Sequence, residues 1–214
     1  MGENGRVFLM RVSLPDRPGS LGLIASAVGT VGADIRSIQI VGKEHGQAID
    51  DFTLTLPNGA MPDNLVSACT AIEGVRVLWF SRYPEGGSLQ SDIEALERMQ
   101  RHPDQAAQLL TESAPLVFHG HWALLLDGRA GEVVFGTDMA PELTPEGMQA
   151  LGPLEEMHTV ELPSDWLPSW GETTAAVAPV GDGLSIVVGR QGGPEFLASE
   201  LARLKHLCGM VASA

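Results

Sequence analysis

One short run of this 214-residue chain has residue types and spacing suited to chemistry: Asp16-Arg17-Pro18-Gly19-Ser20-Leu21-Gly22. It stands between an apolar strand pattern and an amphipathic helix pattern. A helix start exposes unpaired backbone N–H groups and a partial positive charge, which suits a carboxylate. Gly19 lacks a Cβ and lets a ligand approach the backbone. Asp16 can accept hydrogen bonds from first-turn N–H groups, and Pro18 suits a helix start because its missing donor would be unpaired there anyway. A purely structural role is also open to these residues, with Asp16 as a cap and Arg17 as a solvated charge.

Other constellations are thinner. His119 and His121 would share one face of a strand, which is half a metal site with no third ligand positioned. Ser185 and Ser199 lie in no nucleophile-elbow context. Gly181-Asp182-Gly183 is a hairpin turn, since neither a lysine nor a helix start follows it as in a phosphate loop. Cys69 and Cys208 sit in apolar helical patterns without CxxC spacing and read as buried thiols in a reduced compartment. No catalytic set, metal or cofactor is indicated.

These residues must be positioned by ordinary elements. Phe8, Met10, Val12 and Leu14 alternate on a first strand that Pro15 ends. Leu21, Ile24, Val28 and Val31 mark a helix that stops near Gly32. A second strand is expected over Asp34–Val41 and a polar turn at Lys43–Gly46. The third strand alternates Phe52, Leu54 and Leu56 against Asp51, Thr53 and Thr55. Leu65, Cys69 and Ile72 space a second helix, and Val75–Ser81 forms a fourth strand. The order β-α-β-β-α-β predicts an antiparallel sheet with two helices on one face.

With the Asp16–Gly22 turn and Val31-Gly32-Ala33-Asp34-Ile35 leading into the second strand, residues 5–83 resemble the ACT family of amino-acid-sensing regulatory domains. The resemblance implies a ligand held between this turn and the second strand of a neighbouring subunit. The implied contacts are Asp16, Arg17, Pro18, Gly19, Ser20, Leu21, Asp34 and Ile35. Serine-binding members carry an asparagine where this chain has Asp34. An aspartate there can hold an ammonium group but repels a carboxylate.

The domain boundaries are expected at 1–83, a linker at 84–88 and a second domain over 89–214. The second domain starts with a helix bearing Ile93, Leu96 and Met99 on one side, then another from Pro103 to Leu110. A long strand over Leu116–Leu126 follows, returning through Glu132–Phe135. A loop-rich middle contains short pieces near Pro145–Leu151 and Thr159–Leu162. A hairpin, Thr173–Val180 with Leu184–Gly189, leads to a last helix ending near Ser213. Val188-Gly189-Arg190, then Gly192-Gly193-Pro194-Glu195-Phe196 and Glu200-Leu201 with Leu204, resemble the GAF family of sensory domains. That resemblance implies a GAF/PAS-like antiparallel sheet and a pocket lined by residues 136–172. Trp166 and Trp170 could wall that pocket or simply pack as core. The cyclic-nucleotide pattern of some GAF domains is not recognisable.

Charge narrows the partners. The formal net charge is −14, and it is uneven. Residues 1–84 carry seven Lys+Arg and eight Asp+Glu, net −1; the remaining 130 carry six and nineteen, net −13. Clustered positive charge for phosphate binding is absent, which argues against nucleic acid and anionic membranes. The N-terminal residues lack a signal-peptide pattern, and no apolar run reaches the roughly 18 residues of a membrane span. The expectation is a cytoplasmic α+β homodimer that senses an amino acid or similar small carboxylate without catalysis. The alternatives are a small enzyme regulated by its ACT domain and a ligand-free dimerisation scaffold.

Overall fold

The computed structural model describes residues 6–82, 89–168 and 170–212. The chain is α+β, with two antiparallel sheets, and it divides into two compact units, Met1–Glu85 and Gly86–Ala214. The expected linker at 84–88 lies outside the described residues.

The first unit runs β1 (Arg6–Pro15), α1 (Ser20–Thr30), β2 (Asp34–Glu44), β3 (Gln47–Leu56), α2 (Pro62–Thr70) and β4 (Arg76–Arg82). Its sheet has the order β2-β3-β1-β4, all antiparallel, which is the ferredoxin-like arrangement found in ACT-type domains. Period-two alternation puts Phe8, Met10, Val12 and Leu14 of β1 beside Phe52, Leu54 and Leu56 of β3. Ile24 and Val28 of α1 and Leu65 and Cys69 of α2 close the same core from one face. Each such apolar side chain contributes about 1.5–3 kcal/mol on burial. On the other face, buried Arg11 grips buried Asp51 through two bonds of 2.7 and 2.8 Å. The strand β2 is an edge, and its Ile38 and Ile40 are exposed. It returns into β3 through His45-Gly46, both at positive φ, as a tight hairpin demands.

The second unit runs α3 (Leu89–Arg101), a 3-10 turn at Pro103–Gln105, α4 (Ala106–Val117), β5 (Trp122–Asp127), β6 (Glu132–Gly136), α5 (Pro145–Gln149), β7 (His158–Leu162), β8 (Thr173–Gly181), β9 (Leu184–Gln191) and α6 (Ala198–Val211). The sheet order is β6-β5-β9-β8-β7. One core joins Leu110, Ala114 and Phe118 to Ala176, Ile186 and Val188 and to Leu204 and Leu207.

Two expectations fail here. Leu116–Leu126 is not one strand: α4 continues to Val117 despite Pro115, and β5 begins only at Trp122. Pro115 lies near the helix end, so it removes a bond only in the last turn. Two distant arginines then serve the final carbonyls: Arg203 donates to Val117 O and Arg190 to Phe118 O. On α3 the buried side is Ser91, Ala95 and Met99, whereas Ile93 is exposed. Among the described residues, no helix is long and apolar enough to cross a membrane.

Candidate functional site

The turn after β1 is built from short backbone bonds. Asp16 N–H donates to Gly46 O at 2.9 Å, Arg17 N–H to Pro15 O at 2.8 Å and Ser20 N–H to Arg17 O at 3.3 Å. Gly19 is the N-cap of α1 in the left-handed region, with φ 93°. A Cβ there would meet nothing within 4 Å, so backbone conformation, not crowding, calls for glycine, and the space above it is open. Arg17, Pro18, Gly19 and Leu21 are exposed, and Ser20 is buried.

Two local readings are corrected. The helix starts at Ser20, so Pro18 precedes it instead of opening it. No side chain caps α1, and Asp16 instead accepts from Lys43 Nζ with both oxygens, at 2.9 and 3.1 Å. Lys43 lies 27 residues away on β2, a partner that local spacing does not reveal.

Asp34 is exposed and Ile35 half-buried at the start of β2. Register sets them far from the turn. Asp34 faces Thr55, Thr55 faces Val7, and Val7 is eight residues down β1 from Pro15. At about 3.3 Å per residue that is roughly 26 Å. One amino-acid-sized ligand cannot touch both halves in a single chain. The structure groups Asp16, Arg17, Pro18, Gly19, Ser20 and Leu21 at one end of the sheet and sets Asp34 and Ile35 at the other.

A residue that sequence reading passed over belongs to the same corner. Asp50 shares a rung with Val12 and Ile40, on the face that carries Phe52, Leu54 and Leu56 toward the helices. It is 1 % exposed, and its Oδ1 has no hydrogen-bond partner among the described residues. Burial first, then the neighbouring carboxylates of Asp51 and Asp16, push its pKa up, while Lys43 pulls it down. The signal was in the alternation: Asp50 is an acid at an inward position, two before Phe52.

The second unit does not assemble the alternatives. Neither histidine of the pair is on a strand: His119 is left-handed at φ 52° and His121 precedes β5. His121 Nδ1 accepts from Gln191 N–H at 3.1 Å, and burial plus nearby Arg190 hold its imidazole below the usual range. Among the described residues no three His, Cys, Asp or Glu side chains are grouped to hold a metal. Ser185 is buried and donates to Leu154 O at 2.6 Å. Trp166 and Trp170 pack with Trp122, with ring centroids 6.1–6.3 Å apart, as one core. A cleft of about 460 Å³ lies beside Glu161, Glu172, Thr173, Thr174 and Gly193 without a tryptophan in its lining.

No family model matches the chain, and no curated protein matches it in sequence. Solved structures offer loose likenesses of fold. A formyltetrahydrofolate deformylase from Pseudomonas putida aligns at 10 % identity and TM-score 0.30, over 44 % of this chain and 38 % of that one. The chain thus spans well under half of the deformylase. An unknown protein from Galdieria sulphuraria aligns at 13 % and 0.35, over 98 % and 91 %. A protein described as a glycine cleavage system transcriptional repressor aligns at 9 % and 0.31, over 97 % and 93 %.

Proposed function

We propose that this chain is a non-catalytic regulatory protein that binds an amino acid or similar small carboxylate in a pocket shared between two copies. The first unit is the ACT-type sensor, and the second is a GAF-like module that relays the signal or takes a second ligand. One observation carries the reading: the two halves of the expected site stand at opposite ends of edge strand β2. Two copies paired antiparallel along β2 about Gln39 would set the partner's Asp34 level with Glu44, beside Lys43 and the turn. Such pairing also covers an edge and the exposed Ile38 and Ile40. The Asp16–Lys43 pair supports one rival, because an acid of the turn that already has a cation in its own chain needs none from a ligand and fits a dimerisation scaffold.

A thermal-shift screen of the full chain against the twenty amino acids and common nucleotides separates these readings. Saturating ligand at a hundred times its Kd stabilises by about 2.7 kcal/mol. We expect saturable stabilisation by an amino acid, lost in both Gly19→Val and Asp34→Ala. A tight dimer that no ligand stabilises would make the protein a scaffold.

A further inference from the structure

The corner beneath the Asp16–Gly19 turn carries three acids, Asp16, Asp50 and Asp51, and three bases, Arg11, Lys43 and Arg17, the last exposed on the turn itself. Of its charged groups, Arg11 is committed to Asp51 by two bonds and Lys43 to Asp16 by two. Asp50 is left over. It is fully inside, on the apolar face of β3, with Oδ1 bonded to nothing among the described residues. A carboxylate in that condition is destabilising, because the donors that water supplied have not been replaced.

Its place on the sheet sets it beside the turn site. Along the helix-facing side of β3, the next inward residue is Ala48, whose rung holds Leu14 and Lys43. Lys43 and Asp50 are therefore diagonal neighbours, one strand apart. Outward of Asp50 on the same rung is Ile40, 55 % exposed on the edge strand. The edge is the open side of the corner, and Asp50 lies one strand in. The Lys43–Asp16 pair that bridges turn and strand is exposed on both partners, so it exchanges easily.

We propose that Asp50 is the ammonium-binding group of this site, so that its ligand is a zwitterionic α-amino acid and not a plain carboxylate. The ligand's ammonium group supplies the cation that Asp50 lacks, and Lys43, released from Asp16, receives its carboxylate. This rests on the reading of the turn as a ligand site, and it assigns that site's chemical selectivity.

The test uses the full chain, the twenty L-amino acids, and their 2-hydroxy-acid counterparts such as lactate for alanine and 3-phenyllactate for phenylalanine. Binding is measured by calorimetry on the wild type, Asp50→Asn and Gly19→Val. A charge-assisted hydrogen bond predicts a loss of about ten- to a hundred-fold, both for the hydroxy acid on the wild type and for the amino acid on Asp50→Asn. The unliganded variant must also melt at or above the wild type at pH 7. That gap must close as pH falls, because a raised carboxyl pKa stabilises the fold only once the group is protonated. Unchanged amino-acid affinity in Asp50→Asn, with binding lost in Gly19→Val, would keep the turn site and overturn the role of Asp50. Equal binding of the hydroxy acid, or an unliganded Asp50→Asn that melts below the wild type, overturns it too. If neither series binds the wild type, the sensor reading and this assignment fall together.

Discussion

Cys69 and Cys208 illustrate how a residue's chemistry follows from its surroundings. Both are buried, and burial pushes their thiols up to about 11 and about 12. The thiolate is the reactive form, so at pH 8 almost none is present in the folded protein. Neither cysteine should react with a thiol-directed reagent in the native state, and both should react after denaturation. Fast native labelling of either would contradict the packing of α2 or α6. Asp50 is the opposite case, a polar group placed inward without the partner that would make burial comfortable.

At the scale of elements, Arg190 joins four pieces of the second unit. From β9 it bonds Glu200 of α6 at 2.6 Å and Phe118 O beyond α4 at 2.7 Å, and it covers the Phe196 ring at 3.9 Å. Glu200 in turn accepts from Leu197 N–H at 2.8 Å, closing the start of α6. A cation at the end of α4 also complements its dipole. Removing one partner of a buried pair leaves a buried charge, so Glu200→Ala should destabilise by about 3–5 kcal/mol. Glu112→Ala, which breaks an exposed pair with Arg98, should change stability by less than about 1 kcal/mol. Urea unfolding followed by tryptophan fluorescence measures both, since Trp122, Trp166 and Trp170 lie in this unit's core. Equal effects of the two variants would contradict the buried network.

At the scale of the whole molecule, the proposed shared pocket requires a dimer. The apolar groups available to it are Ile38, 42 % exposed, and Ile40, 55 % exposed, on β2, together with Leu21 and Leu23 of α1. Ile38→Glu with Ile40→Glu would bury four like charges at a two-fold contact, so this variant should be monomeric. Sedimentation should find a wild-type dimer, and the double variant should lose ligand binding with it. A wild type that stays monomeric across micromolar to hundred-micromolar concentrations removes the shared pocket altogether.

The sequence by itself determined the order β-α-β-β-α-β, the turn after β1 and most of the second unit's hairpins. Those signals are local: alternation, three–four spacing, and stops at Pro15 and Gly32. Tertiary structure alone decided who partners whom. Lys43 rather than a helix N–H takes Asp16, across 27 residues, and Arg190 and Arg203 bond the carbonyls where α4 continues past Pro115 into a run whose pattern reads as strand. The β-α-β order places the start of β2 opposite the turn, and register fixed how far apart Asp34 and the turn stand. These outcomes depend on pairings between residues distant in the chain, and period and spacing carry no information about such pairings.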